Sequence, residues 1–363
     1  MVVDGLTPSR VERPATPEQV AEALAAAAEA GEAVVPVGGG RAIGLGDPPD
    51  RLDVVLETRA LRRVVEMSQA DMTVSVEAGI TVEELNGELA GLGQFLPVDP
   101  FNAPGHTIGG VLAAGLSGPL RLRYGSPRDF VIGLRVALPD GRLATSGGRV
   151  VKNVSGYDLN KLHQGALGSL GVIVAASFKV FPKPLAEVTL EARPDDPWTE
   201  AARALDLAMP PSALELAGDG RLLARLAGSG EGVRRMAGEL GWTEVDAAAW
   251  DEHARRGGET WARLSVPPAR LREVVDRLDG GSWWASPGVG VAHWTGDLDA
   301  GALRLARAAA ESAGGALVLM AAPAELKRAV GAWGTQPATM EWMRRLRDAF
   351  DPRRTLSPGR YVA

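Results

Sequence analysis

The chain contains no cysteine. That absence excludes disulfides, thiolate nucleophiles, zinc–sulfur centres and protein-held iron–sulfur clusters. It also excludes a cysteinyl link to a cofactor. Lysine is scarce: Lys152, Lys161, Lys179, Lys183 and Lys327 are the only ones among 39 basic residues, a pattern of GC-rich coding. A formal net charge of -6 argues against binding nucleic acid by phosphate neutralisation. No uninterrupted apolar run reaches the roughly 18 residues that span a bilayer. The opening stretch MVVDGLTPSRVERP lacks the basic-then-apolar pattern of a secretory signal. These absences predict a cytoplasmic protein, at most peripheral at a membrane.

What is present is an ordinary globular composition, 45% hydrophobic over 363 residues, which is long enough for two cores. Residues 16–31 read as a helix, with Thr16 as N-cap, Pro17 at the first position, Gln19 completing a capping box and Gly31 as the C′ residue. A short buried strand at 33–37 runs into the turn 38–44. Residues 53–67 add strand and turn, 72–79 alternate as a strand, and Thr81 with Glu84 forms another capping box. The segment 101–118 is apolar but dense in glycine and alanine. As a plain core helix it would lose about 0.5–1 kcal/mol per interior glycine, so close approach of its backbone to a ligand explains it better. A hairpin is predicted from 129–138 and 142–145 around Pro139, Asp140 and Gly141, and a long apolar strand from 172–181.

Pro182 and Pro184 mark a boundary. Beyond it, strands at 187–192, 213–217, 222–226 and 316–321 alternate with helices at 197–207, 232–240, 268–278 and 303–313. This pattern predicts an α+β unit with an antiparallel sheet. No internal repeat is visible. All nine tryptophans lie between Trp198 and Trp342 and read as core and interface packing. A helix at 340–350 and an extended tail close the chain. The predicted division is 1–185, 186–340 and 341–363.

Several chemistries fail on inspection. Gly38-x-Gly40-x-x-Ile43 lacks the third glycine of a nicotinamide fingerprint, and Leu45 stands where a P-loop requires lysine. His106, His163, His253 and His293 are scattered with no i,i+4 pair, so no metal site is expected. Asp251, Glu252 and His253 read as a solvated helix face. Gly115, Ser117 and Gly118 do not complete a G-x-S-x-G elbow. The turn 38–44 still gathers several amides at one point, which suits a pyrophosphate. Lys152, Asn153 and Tyr157 stand in reach of a cofactor or substrate, or else hold a turn.

Four segments, PVGGGRAIG at 36–44, GHTIGGVLAAGLSG at 105–118, YGSPRDFVIG at 124–133 and VKNVSGYDLNKLHQGALGSLGVI at 151–173, together resemble the FAD-binding domain of the vanillyl-alcohol oxidase (PCMH-type) flavoproteins. The last segment and the tail FDPRRTLSPGR at 350–360 are most similar to the GlcE-type subunit of bacterial glycolate oxidase. The resemblance covers about the first 185 residues and the tail. It implies a two-subdomain FAD-binding domain with a smaller α+β cap carrying an antiparallel sheet. Carried over by motif, Gly38, Gly39, Gly40, Arg41 and Ala42 would present amides to the pyrophosphate. Thr107, Gly109 and Gly110 would line the opposite side. Ser117 and Asp129 would shape the pocket, and Gly165, Gly168, Gly171, Val172 and Ile173 would pass the adenosine end.

Relatives with histidine-linked flavin carry His in the first glycine turn, where this chain has Gly39, Gly40 and Arg41; the resemblance therefore implies non-covalent FAD. The His-rich cap motif of related glycolate and D-lactate dehydrogenases is missing. That departure implies work beside a second FAD subunit and an iron–sulfur subunit, oxidising glycolate or another 2-hydroxy acid. Two other functions fit the same resemblance: a stand-alone FAD dehydrogenase and a non-catalytic flavin-binding scaffold. No catalytic base is identifiable.

Overall fold

The computed structural model describes residues 1–101, 104–148, 159–254 and 258–361. Lys152, Asn153 and Tyr157 lie outside the described residues.

The predicted helix forms at Pro17–Ala30. Thr16 accepts from the Gln19 amide, and Gly31 closes the helix in the left-handed region at φ 68°. The Gln19 side chain reaches back to the Ala15 amide rather than to Thr16. Val20 and Leu24 pack this helix under the strands Val34–Val37 and Val54–Glu57. Those two strands pair in parallel, and Arg10–Glu12 adds a third parallel strand. The Thr81–Glu84 capping box opens the helix Val82–Ala90 as read.

A second, five-stranded sheet is antiparallel, in the order Val64–Ser68, Thr73–Glu77, Val172–Lys179, Val131–Ala137, Leu143–Gly147. Two local readings change. Residues 127–130 turn as a short helix, Pro127–Phe130, so the strand starts at Val131. The glycine-dense stretch does make a helix, Ile108–Ala114, seven residues long. Burial of Ile108, Val111 and Leu112 in the main core outweighs the poor propensity of Gly109 and Gly110.

Beyond Pro184 a single eight-stranded antiparallel sheet forms, confirming the α+β class. It is built twice over. Strand Ala186–Ala192, helix Pro197–Leu205, strands Ala213–Ala217 and Leu222–Gly228, helix Gly230–Leu240 and strand Thr243–Val245 make one β-α-β-β-α-β set. Strand Thr260–Ser265, helix Leu271–Val275, strands Ser282–Ser286 and Val291–Gly296, helix Ala300–Ser312 and strand Ala316–Ala321 repeat the order. The two sets meet where Leu216 faces Ala285 and Ala217 faces Trp284. This duplication corrects the absence of repeats in the sequence reading. It is carried by backbone order and burial pattern, which different side chains satisfy equally well.

The sheet has two unlike faces, because side chains alternate along each strand. In the second set, Ala262, Leu264, Ala285, Ala292 and Trp294 pack on the helices through Leu271, Leu303 and Ala306. The opposite face carries Arg263, which is in register with His293; His293 is in register with Trp284, and Ser286 lies two residues along. Glu215 stands on the same face, two residues from Ala217. Of the tryptophans, Trp284 and Trp294 are fully buried, whereas Trp342 stays 65% exposed.

The tail returns to the first sheet. Val34 donates to the Thr355 carbonyl, Ser357 donates to the Val34 carbonyl, and the buried Asp351 carboxylate accepts from the Thr355 and Leu356 amides. Helix Met340–Phe350 precedes it, and Phe350 meets His163 edge-on at 5.7 Å. Burial pushes the His163 ring from 6.5 down to about 4, and its Nδ1 makes no hydrogen bond. The unfolded chain therefore takes up this proton below pH 6.5, while the folded chain resists until about pH 4. Stability from this residue is complete above pH 6.5 and is lost as pH falls to 4, roughly 3 kcal/mol in all. A His163→Leu variant is expected to show a shallower fall in melting temperature across that window.

Candidate functional site

Three chain segments meet at one cleft. The first is the turn after strand Val34–Val37. Its glycines are required by what sits behind them: a Cβ on Gly38 would lie 2.1 Å from Thr107 Oγ1, and one on Gly39 would lie 1.9 Å from the Gly105 carbonyl oxygen. Gly40 adopts φ 72°. The second segment is the glycine helix. Thr107, almost fully buried, joins the two, because its hydroxyl accepts from the Gly39 amide at 3.3 Å and from the Gly110 amide at 3.2 Å. Gly109 packs on Ala78, to whose carbonyl its amide donates at 2.7 Å. A Cβ on Gly110 would touch only Thr107 Oγ1, at 3.1 Å, so this glycine faces the open cleft. The third segment enters through Gly168, where a Cβ would meet Pro36 Cγ at 2.7 Å, and continues into Val172 and Ile173.

Together these segments enclose about 760 Å³ of space, part of it open to solvent. Gly38, Gly39, Gly40, Arg41, Ala42, Thr107, Gly109, Gly110, Gly168, Val172 and Ile173 line the cleft, as does His106. Among the described residues the amides of Gly40, Arg41 and Ala42 make no hydrogen bond. Three successive amides without partners form a cradle for an anion, such as a pyrophosphate.

Four of the sequence-predicted residues lie elsewhere. Gly165 stays beside the glycine helix, its amide on the Leu112 carbonyl. A Cβ on Gly171 would meet Val136 at 2.5 Å, so that glycine serves strand packing. Asp129 is exposed and closes its own short helix, accepting from the Ser126 amide at 2.7 Å and hydroxyl at 2.9 Å. Ser117 lines a second cavity.

Sequence reasoning missed several lining residues, His106 and Arg360 among them. The His106 ring is buried with Nε2 3.0 Å from the Phe101 carbonyl oxygen, and burial holds its pKa down. Arg360, 3% exposed, donates to the Ile43 and Leu45 carbonyls at 2.5 and 2.6 Å and so pins the first glycine turn. The FDPRRTLSPGR tail was the only available signal for Arg360. Its target lies more than 300 residues earlier, beyond any local pattern.

The second cavity, about 470 Å³, opens between the first half of the chain and the polar face of the eight-stranded sheet. The two cavities are neighbours: His106 lines the first and Phe101 the second, with His106 Nε2 3.0 Å from the Phe101 carbonyl oxygen. Arg121, Ser117, Arg263, Ser286 and His293 contribute its polar lining. Behind it the structure corrects the solvated reading of 251–253. His253 is 2% exposed, with Nε2 3.5 Å from Glu215 Oε2, whereas Asp251 and Glu252 are exposed. His253 and His293, distant in sequence, both contact Phe101 and Trp284. Among the described residues no group of His, Asp and Glu is arranged to hold a metal ion.

A glycine-walled cleft with unpaired amides, beside an α+β unit, defines a nucleotide-cofactor protein. Residues 8–147 match the family described as the FAD binding domain. FAD is accordingly the cofactor. Glycolate oxidase subunit GlcE of Escherichia coli (strain K12) is 35% identical over 223 residues, which is 58% of this chain and 63% of that protein. Glycolate oxidase subunit GlcD of Bacillus subtilis (strain 168) is 32% identical over 185 residues, 51% of this chain and 39% of that protein. The mitochondrial cytochrome-type D-lactate dehydrogenase of Arabidopsis thaliana is 38% identical over 173 residues, 48% and 30% of the two chains. In each case less than two thirds of the relative is spanned. A solved alkyldihydroxyacetonephosphate synthase shares the fold, with a TM-score of 0.71 at 17% identity over 96% of this chain and 76% of that one. No helix among the described residues is long and apolar enough to cross a membrane.

Proposed function

We propose that the chain is the FAD-binding subunit of a glycolate oxidase-type dehydrogenase, oxidising a 2-hydroxy acid and passing electrons to partner subunits. The observation that carries this reading is that the glycine-lined cleft, through His106, contacts Phe101 of a neighbouring cavity lined by two arginines. Bound FAD supplies the hydride acceptor for the C2–H of the substrate. The protein does the rest. Amides of Gly40, Arg41 and Ala42 hold the pyrophosphate without needing a cation. Gly110 lets the backbone come close, and Val172 and Ile173 form an apolar wall. Arg360 keeps the first turn in the shape that presents its amides. We place the FAD-binding domain at 1–185, the cap at 186–340 and the returning tail at 341–363, with a cytoplasmic location, peripheral to a membrane through partners.

Sequence similarity to both glycolate oxidase subunits supports a multi-subunit complex; the partners we propose are a second FAD subunit and an iron–sulfur subunit. Purified chain mixed with glycolate or D-lactate, with and without those partners, tests this. Flavin bleaching only in the assembled complex is expected. Rapid bleaching of the isolated chain would favour a stand-alone dehydrogenase, and flavin that stays oxidised in the complex would favour a scaffold.

Non-covalent attachment is a separate prediction. His106, the histidine in the cleft lining, has Nε2 engaged with the Phe101 carbonyl. Acid precipitation is expected to release all the flavin into the supernatant, and colour left in the pellet would refute dissociable FAD.

A further inference from the structure

We infer that the second cavity recognises a 2-hydroxy acid at two points: Arg263, helped by Arg121, takes the carboxylate, and the Ser286 hydroxyl oxygen takes the substrate hydroxyl. The inference rests on the oxidase reading and names its substrate site.

Arg263 projects from strand Thr260–Ser265 on the polar face, and its Nε is sealed from solvent without a hydrogen-bond partner. Among the described residues no carboxylate pairs with it. Burial lowers its pKa, and the neighbouring charge that adds to this is the cationic Arg121. Arg121 comes from the opposite side, on the short helix Arg121–Tyr124 after Ser117. Two guanidinium groups thus face one cavity across the junction of the two halves, with no anion supplied by the protein. A half-buried cation with its Nε unpaired is unfavourable, and an incoming carboxylate offsets that cost. The neighbouring His293 ring adds no anion. Its Nδ1 accepts from the Trp261 indole at 3.0 Å, and burial beside Arg263 keeps it neutral, leaving Nε2–H as a further donor.

Ser286 supplies the complementary group. Its hydroxyl donates to Glu215 Oε1, and Glu215 is 1% exposed, backed by His253. With that proton committed, Ser286 Oγ offers only lone pairs to the cavity it lines. It can accept from a hydroxyl but cannot donate to an anion. Bound FAD would take the C2 hydride; the hydroxyl proton would pass to Ser286 Oγ and the Ser286 proton to Glu215, leaving the 2-oxo acid. Ser286 is then a catalytic residue and Glu215 a positioning residue and proton store.

The test uses the FAD-loaded chain and reads the flavin spectrum on adding glycolate, acetate or ethylene glycol. Glycolate is expected to bind, acetate about tenfold more weakly for want of the hydroxyl, and ethylene glycol not measurably. Arg263→Met is expected to cost about 30-fold or more in binding both acids, with Arg263→Lys restoring part of it. Ser286→Ala is expected to leave acetate binding intact and erase the preference for glycolate. In the assembled complex, Glu215→Gln is expected to lower kcat and change its pH profile with little effect on KM. Unchanged acid binding in Arg263→Met, or an unchanged glycolate preference in Ser286→Ala, overturns the inference. If FAD-loaded wild-type chain binds neither acid, this site assignment fails while the flavin reading stands; if the chain takes up no FAD, the flavin reading itself falls.

Discussion

A Gly110→Leu chain is expected to emerge from purification folded but colourless. The choice of glycine matters. At Gly39 or Gly109 a new Cβ runs into the protein itself, 1.9 Å from the Gly105 oxygen or 2.9 Å from Ala78 Cβ, so loss of flavin there would be confounded by a distorted fold. Gly110 differs because its Cβ would enter the open cleft, with Thr107 Oγ1 at 3.1 Å as its single protein neighbour. It also sits inside the helix Ile108–Ala114, where leucine is favoured over glycine by about 0.5–1 kcal/mol. The apo-protein should therefore melt no lower than wild type. FAD affinity should fall at least a hundredfold, roughly 3 kcal/mol, because the side chain fills space assigned to the cofactor. The checks are flavin absorbance after gel filtration and titration of apo-protein with FAD. Wild-type affinity in this variant would remove Gly110 from the cofactor wall.

The second large effect is expected from Asp4→Ala. Asp4 Oδ1 accepts from Lys327 Nζ at 2.5 Å, and Oδ2 accepts from Arg360 Nη1 at 3.1 Å. The two cationic side chains are 0% and 4% exposed, and burial lowers both their pKa values. Removing the carboxylate that both bond leaves two buried positive charges, with Asp47 the carboxylate that still acts on them electrostatically. Breaking buried ion pairs in this way typically costs about 3–5 kcal/mol, on the order of 10 °C in melting temperature. Because Arg360 also pins the Ile43 and Leu45 carbonyls, flavin affinity should fall with stability. The sign of the pH dependence follows from Lys327. Its folded pKa lies below its unfolded value of 10.5, so the folded chain sheds this proton first and stability rises with pH in the window below 10.5. The deficit of Asp4→Ala should accordingly shrink in alkaline buffer. Thermal melts of wild type and variant at neutral and alkaline pH check both claims.

Local signals were legible wherever a few neighbouring residues settle the outcome. Thr16, and Thr81 with Glu84, define helix starts through side-chain bonds three residues long, and Gly31 ends its helix by a left-handed backbone. The glycine turns were legible because a missing Cβ serves the same purpose in any surroundings. Where partners are distant, the reading went astray. Asp251 to His253 looks like a polar helix face, and two of its three residues are exposed. His253 turns inward only because Glu215 and the Phe101 and Trp284 rings are brought to it from elsewhere. Asp129 sits inside a segment with the resemblance, yet its carboxylate is used by Ser126 three residues away.

The sequence by itself determined the α+β class, the main helix caps and the glycine segments typical of an FAD-binding domain. Each depends on backbone conformation and short-range bonding, which travel with the local chain. Only the tertiary structure decided which glycines face open space and which face their own protein, and that the tail's Arg360 holds the first turn. It alone placed Arg263, Ser286 and Glu215 on one face of a doubled sheet. Those outcomes depend on strand register and on contacts between residues hundreds of positions apart. Nothing in the neighbouring residues records such contacts.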